Sequence, residues 1–249
     1  MGNYGFDWIK SPEKGDWYWV ERIFRELSYY YDSYIQDVSE IPFNYTERAF
    51  VGSLAIAAHK CGYYTLQEYA SKREHEGCRF PDFWITLEPQ KNSYDVVFEI
   101  KREKAKFGMP EDKYKERISK GIEEASKYLG RYEIGKREES RFQCALVAIQ
   151  IQCDENPCEK INNGESYNKI IETLKNEMEK LSKKGAALAK GESHSLWYLY
   201  WLPFKRINND KFKRYYWSGK ESPKRAPYKK PALALLVCGS FKPVSRTTA

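Results

Sequence analysis

Three residues in this chain have the types that metal-assisted phosphodiester hydrolysis uses. Asp82 follows Pro81 in the one Pro-Asp dipeptide of the sequence, and after a gap of sixteen residues comes Glu99-Ile100-Lys101. Two carboxylates on neighbouring strands can hold a hard cation through oxygen and leave positions for water and phosphate. A lysine beside them can orient that water, help take its proton, or offset charge building on the phosphate in the transition state. The triplet is short, and a second Glu-x-Lys occurs at Glu111-Asp112-Lys113. That copy falls at an expected helix start, with no Pro-Asp at strand distance before it. Taken singly, Glu99 and Lys101 read as a solvated edge-strand pair and Asp82 as a turn residue. Their joint order carries the argument.

The elements around these residues must place them together. Positions 94–102 alternate as a strand does, with Val96, Phe98 and Ile100 on one face and Asp95, Val97, Glu99 and Lys101 on the other. Glu99 and Lys101 therefore project from the same side. Positions 79–87 read as the strand that supplies Asp82, and 89–93 as the turn between the two. A helix begins after Thr46, a suitable N-cap, with Phe50, Val51, Leu54, Ala57 and Ala58 as its apolar stripe. Glu47 lies three, four and seven residues before members of that stripe and so points toward the buried face. The plainer reading of Glu47 is a first-turn acid favoured by the helix dipole.

Further elements follow from periodicity. Val20, Phe24, Leu27, Tyr31, Tyr34 and Ile35 mark a helix over 17–38, broken by Pro42. Positions 63–76 read as a short helix and a turn. Ile118, Ile122, Ala125 and Leu129 stripe a helix over 113–131, and 142–152 is an apolar run typical of a central strand covered on both faces. Another helix carries Ile170, Ile171, Leu174, Met178 and Leu181, and strands are expected over 196–202 and 232–238. The expected fold is α/β, a central mixed sheet flanked by helices, with a C-terminal strand extension and a basic arm. Residues 1–249 are read as one domain whose catalytic core spans about 44–152.

Pro81-Asp82, the gap, and Glu99-Ile100-Lys101 together resemble the PD-(D/E)XK nuclease superfamily, the restriction-endonuclease-like fold. The order of elements agrees: an acid-bearing helix before two strands, then a helix and a strand, with Glu47 matching the leading acid. The resemblance implies Asp82 and Glu99 as metal ligands, the Ile100 backbone carbonyl as a further ligand and Lys101 as the group that positions water. It implies Mg²⁺, with Mn²⁺ able to substitute, and assigns Glu47 to a second metal or its water shell. Some members carry Gln-x-x-x-Tyr on the trailing helix; this sequence has Glu124 and Tyr128 at that spacing. The activity implied is endonucleolytic cleavage of nucleic acid, DNA more than RNA. A homodimer is one arrangement that brings two such sites to two strands.

Charge points to the same class of partner. Residues 205–230 hold ten Lys/Arg against two Asp/Glu, while the rest of the chain, with 32 basic and 33 acidic residues, is essentially neutral. Within that segment Lys205, Arg206, Lys211, Lys213, Arg214, Lys220, Lys224 and Arg225 are interleaved with Tyr215 and Trp217, which suits phosphate contact and base stacking. The competing reading is a binding module of the same fold that no longer cleaves and acts within a larger complex. A protein–protein scaffold is the third, kept open by the 20 tyrosines. His59, Cys61, His75 and Cys78 are a weakly spaced zinc alternative. No glycine-rich phosphate loop, apolar span of membrane length or disulfide framework is visible, and the expected setting is the cytoplasm.

Overall fold

The structure is a computed structural model that describes residues 4–10, 17–38, 46–67, 82–87, 94–129, 141–152, 195–201 and 232–243, with 172 and 176. In chain order the elements are β1 (Tyr4–Lys10), α1 (Tyr18–Val38), α2 (Glu47–Lys60), β2 (Tyr64–Gln67), β3 (Phe83–Leu87), β4 (Tyr94–Lys106), α3 (Glu111–Leu129), β5 (Arg141–Gln152), β6 (Ser195–Trp201) and β7 (Ala232–Pro243). The strands form one seven-stranded sheet in the order β1-β6-β7-β5-β4-β3-β2. Among the described residues only β4 and β5 run parallel, and the five other pairings are antiparallel. This is the mixed α/β class expected, and a crossover through α3 is what a parallel β4–β5 pair requires.

Side-chain alternation assigns the two faces. Trp19 of α1 packs its ring 6.5 Å from that of Phe98, and Trp17 lies 4.8 Å from Phe142. The even-numbered positions of β4 and β5 thus face α1 and α2. On the opposite face α3 packs so closely on β5 that a Cβ added to Gly121 would fall 2.5 Å from Val147. With helices on both sides, Asp95 through Ile100 and Cys144 through Ile151 are all buried. The polar face expected for β4 is therefore under a helix rather than in solvent.

Helix α1 buries Trp19, Val20, Ile23, Phe24, Leu27, Ser28, Tyr31 and Asp32, a recurrence of about four that keeps one stripe on the sheet. It closes the β6–β7 side with aromatic rings: Phe24 sits 4.6 Å from Trp197 and Tyr31 5.3 Å from Trp201. The Trp201 indole N–H donates to buried Asp32 Oδ1 at 3.1 Å. Glycine is required where β7 passes Trp197, since a Cβ on Gly239 would meet the indole at 2.3 Å.

Three expectations change. The stretch 63–76 was expected as helix and turn, but Tyr64–Gln67 is an edge strand paired with β3. Tyr64 and Leu66 are exposed there, so the segment has no buried alternation to distinguish it from a helix. β1 has no counterpart among the expected elements. Asp82 lies just ahead of β3 rather than inside a strand over 79–87, and 79–81 are outside the described residues. Of the expected helix through Ile170 and Leu181 only 172 and 176 are described, both helical, and the basic segment 205–230 lies outside the described residues. Among the described residues no helix is long and apolar enough to cross a membrane.

Candidate functional site

The site forms because β4 outruns β3. β3 has five residues and β4 thirteen, and their pairing ends at Phe83–Phe98. From Glu99 onward the β3 side of β4 has no strand partner among the described residues, while β5 still pairs with β4 as far as Lys106. Backbone amides on that open edge need acceptors. Two carboxylates supply them. Ile100 N–H donates to Asp82 Oδ2 at 2.7 Å, and Arg102 N–H donates to Glu47 Oε2 at 3.1 Å.

Each acid arrives by its own local logic. One step past the Phe83–Phe98 pair, Asp82 comes level with Glu99. Glu47 opens α2, whose N-cap Thr46 accepts from Ala49 N–H at 3.3 Å, and the helix start aims the carboxylate at the edge. Glu99 and Lys101 share the α3 face of β4, and Lys101 Nζ donates to Glu99 Oε1 at 2.6 Å. Glu99 is 5% exposed in its side chain and Lys101 21%. The Lys101 ammonium also lies 4.6 Å from the centre of the Tyr128 ring on α3. Glu124 does not join it; that carboxylate is exposed and lies 3.9 Å from Lys120 on the helix surface.

The electrostatics tie these groups into one cluster. Burial pushes the Glu47 carboxyl above its usual range, and nearby Asp82 adds to the rise; Lys101 and the Arg102 amide oppose it. Burial alone would push the Lys101 ammonium down, but its hydrogen bond and charge interaction with Glu99, joined by Asp82 and Glu47, outweigh that and raise it. Lys101 is therefore a firmly held cation at neutral pH.

The donor set suits a hard cation that keeps much of its water. Among the described residues no three His, Cys, Asp or Glu side chains converge into a ready cage. Asp82 and Glu99 offer carboxylate oxygens, and the Ile100 carbonyl shares the edge of its own N–H. Mg²⁺ is commonly held by one or two carboxylates plus water, which this set fits. The zinc alternative gains nothing: His59 is exposed, Cys61 is buried with its thiol pushed up by burial, and His75 and Cys78 are outside the described residues.

Two residues at the site went unread in the sequence. Arg102 points to the α2 face, where its Nη2 donates to Gln150 Oε1 at 2.7 Å. With Glu47, Phe50, Ala148 and Leu235 they line a small cavity behind the open edge. The available signal was Gln150, a polar residue inside the apolar run of β5; it is 2% exposed.

Fold and site together define a mixed α/β protein with an acid–lysine cluster on an unfinished sheet edge. Comparison with protein-family models, curated proteins and solved structures gave no match to any of them.

Proposed function

We propose that this chain is a metal-dependent nuclease of the PD-(D/E)XK type, cutting DNA in preference to RNA and acting endonucleolytically. The observation that carries the reading is the seating of Asp82 and Glu47 on the Ile100 and Arg102 amides, next to the Glu99–Lys101 pair, where β4 outruns β3. Asp82, Glu99 and the Ile100 carbonyl would hold Mg²⁺, or Mn²⁺ in its place, with Glu47 serving a second ion or the water shell. A divalent cation there supplies charge neutralisation at the phosphate and a more acidic water. Lys101, kept as an ammonium by its acidic neighbours, orients the attacking water and compensates phosphate charge rather than removing a proton. A homodimer would serve a duplex with two sites. The free, buried thiols Cys61, Cys144 and Cys238 fit a reducing compartment such as the cytoplasm, and recovery of the protein from an oxidising compartment would overturn that placement.

The test is incubation of the purified chain with supercoiled plasmid or labelled oligonucleotide and Mg²⁺ or Mn²⁺. Cleavage is expected, with Asp82→Ala and Lys101→Ala each lowering the rate by about 10²-fold or more. Full activity in either variant overturns the site. A second reading, a nucleic-acid-binding module of the same fold that does not cleave, draws on the 2.6 Å Lys101–Glu99 ion pair, which ties up a carboxylate the cation needs. It predicts salt-sensitive binding with no metal-dependent turnover.

A further inference from the structure

Beyond the catalytic cluster, β4 continues as Arg102-Glu103-Lys104-Ala105-Lys106. Alternation splits this stretch. Ala105 is buried, and Glu103 pairs with Arg117 of α3 at 3.2 Å, so the one acid here faces the α3 side and is matched by a cation. Arg102, Lys104 and Lys106 stand on the other face; Arg102 is half-buried and both lysines are exposed. Same-face residues on a strand are about 7 Å apart, comparable with the separation of successive phosphates along a nucleic-acid strand.

The row is also firmly anchored. Lys104 and Lys106 are in register with Gln150 and Gln152 of β5, and Phe107 N–H donates to Gln152 O at 2.7 Å. The Tyr114 hydroxyl of α3 donates to the Lys106 carbonyl. Arg102 is fixed at the catalytic end by Glu47 on its amide and Gln150 on its guanidinium. The row lies at the carboxyl ends of the two parallel strands, where open α/β sheets bind ligands.

We propose that Arg102, Lys104 and Lys106 form a rail for a phosphodiester backbone, a nucleic-acid contact built into β4 itself and distinct in sequence from the basic segment 205–230. The inference rests on the nuclease reading for the direction in which the strand travels, toward Asp82 and Glu99. The rail binds DNA or RNA through phosphate alone, so it confers affinity without sequence preference.

The test compares the full chain with Lys104→Gln/Lys106→Gln and with the charge-keeping Lys104→Arg/Lys106→Arg. Binding of fluorescent DNA and RNA oligonucleotides, single-stranded and duplex, is measured with chelator present across a range of salt. The Gln pair is expected to weaken binding several-fold on every sequence. It should also flatten the slope of log affinity against log salt by about 0.7 per lost contact on single strands and 0.9 on duplex DNA. The Arg pair should keep both, and thermal unfolding should be the same in all three. An unchanged slope in the Gln pair overturns the rail, as does failure of the parent chain to bind any polynucleotide. If the parent cleaves with Mg²⁺ while the slope is unchanged, the rail alone fails. If the slope flattens in a chain that never cleaves, the rail stands and the nuclease reading falls.

Discussion

The β1–β6 pair and the β3–β4 pair lie toward opposite ends of one sheet, and their strand lengths show how differently they are finished. Within the described residues β1 and β6 have seven residues each and pair from Tyr4–Trp201 to Lys10–Leu196 with one irregularity at Trp8–Lys10. β3 stops at five residues while β4 runs to thirteen. The matched end is packed with rings: Phe6 stacks on Trp197 at 5.7 Å, and Phe24 and Tyr31 of α1 close over Trp197 and Trp201. At the mismatched end the amides of Ile100 and Arg102 turn to carboxylates instead of a strand. Matched lengths let a sheet bury apolar surface. Mismatch leaves backbone donors that draw in carboxylates, and carboxylates attract cations. The first end is expected to carry stability and the second chemistry.

The largest expected effect tests that division from the sealed end. Trp197→Ala removes a fully buried indole and should cost about 3–5 kcal/mol in denaturant unfolding. Cleavage per folded molecule should not change. A loss of activity beyond the loss of folded protein would show that the two ends are not separable.

A middle-sized effect comes from Glu47. Because burial raises its folded pKa, the native state holds this proton to higher pH than the unfolded chain does. The stability this confers is present below the ordinary glutamate range and is lost as pH rises through the raised value. Glu47→Gln keeps an oxygen for the Arg102 amide but no charge. With chelator present, it should unfold like the parent near pH 4 and become the more stable of the two toward neutrality. An equal gap at both pH values would mean that burial does not strain this carboxylate.

How much of this could be read beforehand depended on local signal. The alternation of Val96, Phe98 and Ile100 marked β4, the apolar run of β5 marked a covered strand, and the stripe of α2 aimed Glu47 inward. Those features repeat within a few residues. The overhang of β4 could not be read, because it depends on where β3 stops, and that is set by pairing between distant segments. β2 escaped because an edge strand with exposed Tyr64 and Leu66 buries too little to impose a period of two. β1 carried a usable signal in Tyr4, Phe6 and Trp8, which alternate and pack against the core, though its partner β6 lies far along the chain.

The smallest effect concerns the Tyr128 ring beneath Lys101. A double-mutant cycle of Tyr128→Leu with Lys101→Met should give a coupling of about 0.5–1 kcal/mol in unfolding, the size of a partly exposed cation–π contact. Zero coupling would mean that Glu99 alone holds the ammonium.

The central claim, that the unfinished edge of β4 is a cation site, is tested most directly by a crystal of the chain soaked in Mn²⁺ with data collected at the manganese absorption edge. A single strong anomalous peak is expected between Asp82 and Glu99, within coordination distance of the Ile100 carbonyl. No peak there at saturating Mn²⁺, with the Lys101–Glu99 ion pair intact, would contradict it.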